Sequence, residues 1–393
     1  LEPRWSGQLY GWRYLARRVD GSGTPGPWLD SELPLQGVQI TDVVSGPPQL
    51  TGTITPVHAR LLMPDGMPLL TENDTEVAAE KDGQIVACGH LVRNAAQGHV
   101  NEIEVNGFTG YAKDMGFLGD PILGPDRPKD FVDTDPLDVV RYLWDHVQNV
   151  GPRSNIGLVV DPDTRTPVTV GRAPEHVIEG TPAVEQTTPE PYRLATWQTD
   201  DIGGEIDALA ASTPFDYHER HQWNDDRSEI LHFLDFGFPR LGQRRSITFT
   251  VGGNVQEIPK VERDGTQTAN HVRVLGAGEG SAMIRADARL DDGRLRKMIT
   301  ITDDSITDPE MARTRARTEV AMRAQATRIS SFVVRNTGET QLGAWHVGDE
   351  VRLVSREGWL HVDQWVRILS QTITPEDPAL ATCTVLRADR FAV

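Results

Sequence analysis

Three histidines near one another in the chain, His218, His221 and His232, carry the donor atoms that most often hold zinc. With Asp225 or Asp226, His218 and His221 could complete a ligand set. Two histidines three apart with Glu219 between them do not have the H-E-x-x-H spacing of a helical metal site, so they read as surface or hydrogen-bonded side chains beside Trp223. Cys88 has His90 two residues on, which in a strand puts thiol and imidazole on one face. A small buried cysteine is the expectation there, ahead of a nucleophile.

The acidic doublets Asp200-Asp201, Asp225-Asp226 and Asp303-Asp304 could supply carboxylates for glycoside hydrolysis. Neighbours in a strand point to opposite faces, however, so no doublet forms a catalytic pair by itself. Asp161-Pro162-Asp163-Thr164-Arg165 lacks the glycine and closing glutamate of a calcium loop and reads as a turn. Gly276-Ala277-Gly278-Glu279-Gly280 follows an apolar strand, but its spacing is G-x-G-x-G and a carboxylate sits where a phosphate would lie. A packed β turn is expected, with Ser281–Ala286 continuing as a strand. No G-x-S-x-G elbow is present. No catalytic, cofactor-binding or metal residue is therefore assigned.

Short alternating runs dominate the elements that would position these groups: Val38–Ile40, Glu102–Val105, Ile247–Val251, Val351–Val354, the segments around Leu360, Val362, Val366 and Ile368, and Thr382–Leu386. Two helices interrupt them. Asp135-Pro136 opens one, with Leu137, Val140, Leu143, Trp144 and Val147 at helical spacing and Gly151-Pro152 beyond its end. Asp308-Pro309 opens the other, expected over 308–327, with Ala312, Ala316, Val320 and Ala324 facing a sheet. Arg313, Arg317, Arg323 and Arg328 read as a solvated face with salt bridges.

The chain has 393 residues, 39 basic and 57 acidic side chains and a formal charge of −18. That length suggests roughly two to four domains. The acidic balance argues against a protein that wraps nucleic acid. Two cysteines exclude a disulfide scaffold and a cysteine-rich zinc module. No apolar run reaches the ~18–20 residues of a membrane helix, and the start has no secretory core. Polar and proline-rich stretches divide the chain into residues 1–118 (an N-terminal arm and a first β unit), 119–195 (a helix-containing α/β piece), 196–285 (a β-rich third piece) and 286–393 (a second β unit with the 308–327 helix). The arm is expected because Arg4, Arg13, Arg17 and Arg18 make the first 35 residues basic, ahead of the flexible Gly21–Gly26.

Two stretches in this order carry a family resemblance. Asn270-His271-Val272-Arg273-Val274-Leu275-Gly276-Ala277-Gly278-Glu279-Gly280 resembles the strand-and-glycine segment of siphophage tail-tip proteins. Trp345-His346-Val347-Gly348-Asp349-Glu350-Val351-Arg352-Leu353 resembles the start of their C-terminal barrel. Glu229–Phe233 with Ile247–Val251 is similar to the family's third segment. The whole resembles a minor tail protein of the tail-hub type, similar to baseplate hubs of contractile tails, over residues 200–393 by motif and over the first half by architecture.

The resemblance implies a mainly β chain with α+β parts: two small tail-tube-like β-barrels and two α/β decorating domains. It further implies a non-enzymatic homotrimer in the virion, made in the host cytoplasm, that closes the distal end of a non-contractile tail tube. Its partners would be the tube, the distal tail protein and other minor tail proteins or a central fibre. DNA would pass without specific binding, in a lumen whose acidity repels phosphate. Two other readings compete. In a carbohydrate-binding protein, Trp5, Trp12, Trp28, Trp359 and Trp365 would be platforms, while Trp345 and Trp365 read more simply as core. A cell-wall hydrolase would need an acidic site that the sequence does not display.

Overall fold

The computed structural model describes residues 11–19, 25–29, 32–62, 66–122, 124, 127–171, 191–213, 215–256, 261–263, 268–278, 280–303, 306, 308–324, 327–336, 338–341, 343–356 and 361–388. Six strands come first: β1 (Trp12–Arg18), β2 (Gln36–Val43), β3 (Gln49–Ile54), β4 (Thr75–Lys81), β5 (Gln84–Gln97) and β6 (Val100–Asn106), with one helical turn, α1 (Pro56–Ala59), after β3. The middle contains β7 (Lys129–Phe131), α2 (Pro136–Asn149), β8 (Leu158–Val160), β9 (Tyr192–Leu194), α3 (Ile202–Ser212), β10 (Asp216–Trp223) and β11 (Ile230–Gly237). Next come β12 (Arg244–Thr250), β13 (Val261–Arg263), β14 (His271–Leu275), β15 (Arg285–Arg289), β16 (Met298–Thr302) and α4 (Pro309–Arg323). The last strands are β17 (Thr327–Ile329), β18 (Ser331–Arg335), β19 (Glu350–Ser355), β20 (Val362–Thr374) and β21 (Asp377–Arg387). The chain is thus mainly β with some α, as its alternation predicts.

The strands of the two expected β units lie in one curled, eleven-stranded sheet, ordered β1-β4-β5-β6-β3-β2-β20-β19-β12, with β21 joining β20 to β18. The long β20 makes the junction. Its first half pairs with β19 (Glu350↔Arg367 to Ser355↔Val362) and its second half with β2 (Ile40↔Ile373 to Val43↔Ser370). Because β21 runs along β20 from Val366 to Thr374, β19 and β2 share the opposite edge. One core draws on both halves, setting Val38, Ile40, Leu50 and Val105 with Phe249, Phe332, Val351 and Ile368. The segments around Leu360–Ile368, expected as several strands, are one strand over the described part, where Val366 and Ile368 share a buried face and pair with β21.

The second core lies in the middle of the chain. Asp135 accepts from the Leu137 amide and starts α2, whose Leu137, Val140, Leu143, Trp144 and Val147 are all buried. A third long helix, α3, escapes the sequence reading because Gly203 and Gly204 interrupt its opening turn; Asp201 caps it by accepting from Gly204 N. Gly203 is needed there, since a Cβ would stand 3.0 Å from the Lys113 backbone. Helix α4 buries Ala312, Ala316, Val320 and Ala324 as expected, but it stops at Arg323, and Thr327 already belongs to β17. It packs on β14 and β15. These pair with β16 in a separate three-stranded sheet, so a division at 285/286 falls at the start of β15, inside that sheet.

Residues 12–18 are not an arm. They form β1, paired with β4 from Trp12↔Lys81 to Arg18↔Thr75. Their basic character has a local cause: Arg13, Arg17 and Arg18 meet Glu80, Glu76 and Asp74 of the neighbouring strand and its lead-in. Arg4 lies outside the described residues. Strand β4 is buried on both faces: Val77 and Ala79 enter the core of the curled sheet, while Ala78 enters that of the middle.

Candidate functional site

On the middle-facing side of the curled sheet, Arg17, Glu76 and His90 stand in one row across β1, β4 and β5, because Arg17↔Glu76 and Glu76↔His90 are register partners. Cys88, two residues before His90, shares that face. Against it lies the β10–β11 pair, where His221 and His232 are directly opposed. All of these side chains are buried; Arg17 is 1% and Cys88 3% exposed.

Arg17 donates to both Glu76 oxygens, at 2.8 and 3.1 Å, and also to Glu229 beside β11. The Cys88 thiol donates to Glu76 Oε1 at 3.2 Å, and His232 Nε2 lies 3.5 Å from the same oxygen. The Nδ1 atoms of His221 and His232 are 3.1 Å apart. Phe108 stacks on His232 at 4.1 Å and meets His90 edge-on at 4.6 Å. Glu219 accepts from the backbone amides of Phe108 and Thr109 and from the Thr109 hydroxyl, which holds the Phe108 turn against this cluster.

Burial fixes the protonation of these groups. It pushes the Cys88 thiol well above its ordinary value, and the Glu76 carboxylate adds to the effect. Burial pulls His90 down, and it pulls His232 down further with help from His221 and Arg17. Among the described residues, Glu76, Cys88 and His232 place one donor atom each within 4.8 Å of one another. Both His90 ring nitrogens are buried without a hydrogen-bond partner. A cleft of about 690 Å³ lined by Arg17, Glu76, His90, Glu229 and His232 leads to the cluster.

The groups singled out in sequence do not meet as drawn. His218 bonds Asp42 of β2 at 2.8 Å, away from His221, and its partner overcomes burial to raise its pKa. Asp226 accepts from Ser228 in a turn. The partners of His221 are in the cluster above, and no local spacing encodes them.

Asp201 is spent on capping α3, and Asp304 lies outside the described residues. Asp161 closes a turn after β8, accepting from Asp163 N and Thr164 N. The glycine segment is a packed turn: Gly276 N and Ala277 N donate to Ile284 O and Ile306 O, so neither amide faces an anion. Residues 280–282 form a helical turn and the strand expected at Ser281 begins at Arg285, because Gly278 and Gly280 take positive φ there. Arg313 and Arg323 pair with Glu310 and Glu319 along α4.

Among the described residues, the tryptophans weighed as sugar platforms pack within the chain; Trp12 lies against the curled-sheet core with Lys81 over its ring. Trp345 is 1% exposed. Trp28 packs edge-on against Trp223 beneath Arg17, and Trp365 lies under Arg244. Trp5 and Trp359 lie outside the described residues.

A second charged junction ties the middle to the other half of the sheet. Arg367 of β20 donates to Asp216 of β10 and, at 3.1 Å each, to the Leu241 and Gly348 carbonyls. Asp349 accepts from Gln243 N and Arg245, and Glu350 meets Arg240 and Arg244. The segment Trp345–Leu353 thus positions a junction and starts a strand.

The fold, a curled sheet spanning both ends of the chain with the middle folded against it, is shared with solved structures of tail proteins. The structure is similar to the 43 kDa tail protein of prophage MuSo2 from Shewanella oneidensis, with a TM-score of 0.59 and 14% identity, covering 96% of this chain and 99% of that one. It is also similar to prophage tail protein gp18 from Listeria monocytogenes EGD-e (TM-score 0.54, 10% identity, 95% and 94% covered). A tail protein from Neisseria meningitidis MC58 is similar too (0.53, 14%, 97% and 97%). No protein-family model and no curated protein matches the chain. No helix among the described residues is long and apolar enough to cross a membrane.

Proposed function

We propose that the chain is a structural, non-enzymatic component of a phage tail: a hub that assembles as a homotrimer at the distal end of the tail tube and anchors further tail proteins. The observation that carries this reading is the end-to-end match to the Shewanella prophage tail protein, which spans both halves of the curled sheet and the middle together. The architecture suits the role. The β2–β20–β19 junction makes one rigid body of two β units, and a closed ring of such bodies would present them alternately to the tube. A charge of −18 on each chain, multiplied over three copies, would keep passing DNA from adhering.

Light scattering behind size exclusion, with negative-stain images of the peak, tests the assembly. A mass of three chains and three-fold rings are expected. Mass spectrometry and immunogold labelling of particles produced by the encoding phage test the location. A chain absent from those particles, or labelled away from the tail, overturns the proposal.

A further inference from the structure

From the cluster between β4, β5 and β11 we infer a metal site: Glu76, Cys88 and His232 bind a zinc ion, with a water in the fourth position. The inference stands independently of the assembly reading above.

The spacing of the donor atoms fits. Zinc bonds of about 2.3 Å to sulfur and about 2.0–2.2 Å to nitrogen and oxygen, at tetrahedral angles, put the donors about 3.4–3.6 Å apart. Cys88 Sγ and His232 Nε2 lie 3.2 and 3.5 Å from Glu76 Oε1. A thiolate, a carboxylate and an imidazole form a donor set that zinc accepts and that magnesium and calcium do not favour.

His232 is held through its other ring nitrogen: its Nδ1 lies 3.1 Å from His221 Nδ1, one donating and the other accepting, which leaves Nε2 facing Glu76 Oε1 at 3.5 Å. A ligating histidine held through its other nitrogen is the usual outer-shell arrangement, and Arg17 orients Glu76 in the same way.

Two further observations point to a ligand. His90 is buried directly across from Glu76 with neither ring nitrogen bonded, a costly state that a water carried by the metal would relieve. Carboxylates also outnumber cationic side chains: Glu76 and Glu229 share the single guanidinium of Arg17, and Glu219 lies 3.5 Å from His221 Nε2. Binding displaces the Cys88 proton to solvent. Zinc with the thiolate therefore adds one net positive charge to a site with excess negative charge. The cleft beside Glu229 is the way in.

The test is titration of the chelator-stripped full chain with cobalt(II) and then zinc. One cobalt per chain is expected, with a thiolate-to-metal charge-transfer band and the intense visible bands of a tetrahedral site. One equivalent of zinc should abolish both, release one proton, and raise the melting temperature. Cys88→Ser should remove the charge-transfer band, and His232→Gln the one-to-one stoichiometry. His218→Gln, away from the cluster, should change neither. A folded wild-type chain that gives no stoichiometric cobalt spectrum overturns the inference without reference to any variant. So does a Cys88→Ser chain that keeps the charge-transfer band.

Discussion

Where β1, β4 and β5 meet the β10–β11 pair, the space is filled by imidazoles, a thiol and a guanidinium shared between carboxylates. Where β19 and β20 meet Asp216 and the Arg240–Arg245 segment, it is filled by guanidinium–carboxylate pairs bonded to backbone as well. Both junctions tie the middle of the chain to the same sheet. The second is closed by Arg367, which reaches a carboxylate and two backbone carbonyls together, so it acts as a fixed clamp. The first uses groups whose charge depends on pH and on metal, so its strength varies with conditions.

The largest effect separating the two should come from Arg17→Met. It leaves Glu76 uncompensated in the interior, and removing one partner of a buried pair costs about 3–5 kcal/mol. Denaturant unfolding would measure it, and a loss below 1 kcal/mol would show that the junction carries little of the fold.

Acidification should come next. His90, His146 and His232 have pKa values lowered by burial, so the unfolded chain takes up protons that the folded chain refuses. Stability is then full above the ordinary histidine value of about 6.5 and falls below it, by up to about 1.4 kcal/mol per pH unit for each such group. His218 has the opposite sign. Its pKa is raised, so its contribution is present at low pH and lost as pH rises through the folded value. In chelator, unfolding at pH 5 should need distinctly less denaturant than at pH 7, and His218→Gln should steepen that fall.

Arg367→Met at the other junction should cost about 1–3 kcal/mol, the loss of hydrogen bonds to partners with some solvent access. Asp135→Ala, which uncaps α2 away from both junctions, should cost about 1 kcal/mol. Arg352→Ala breaks an exposed cross-strand pair with Asp363 and should leave the melting curve unchanged.

The sequence displays what local physics decides. The Asp-Pro starts of α2 and α4 and their apolar periodicity are legible, as are the alternating strands with one wet face. Strand β4 is not, because both its faces are buried and alternation disappears: Thr75-Glu76-Val77-Ala78-Ala79-Glu80 reads as polar and helix-prone. One signal was available: Arg13 and Arg17 are four apart, as are Glu76 and Glu80, the match that two antiparallel strands in register require. The metal cluster had no such signal, since its three donors come from β4, β5 and β11, and His232 is far from the others in sequence. The sequence reading assigns no metal residue, and it weighs His221 only with His218 and Asp225 or Asp226, because nearness along the chain is its only guide.

The shared strand β20 also sets a timetable. Thr41 and Thr372, which bond side chain to side chain across the β2–β20 junction, are 331 residues apart. On a ribosome adding roughly 5–20 residues per second, β2 waits tens of seconds with an open edge before β20 emerges. Loop closure over such a span makes this pairing among the slowest steps of folding. An unpaired edge held that long is a template for strands of other chains. The chain is thus at greatest risk of premature association before β20 and β21 are made.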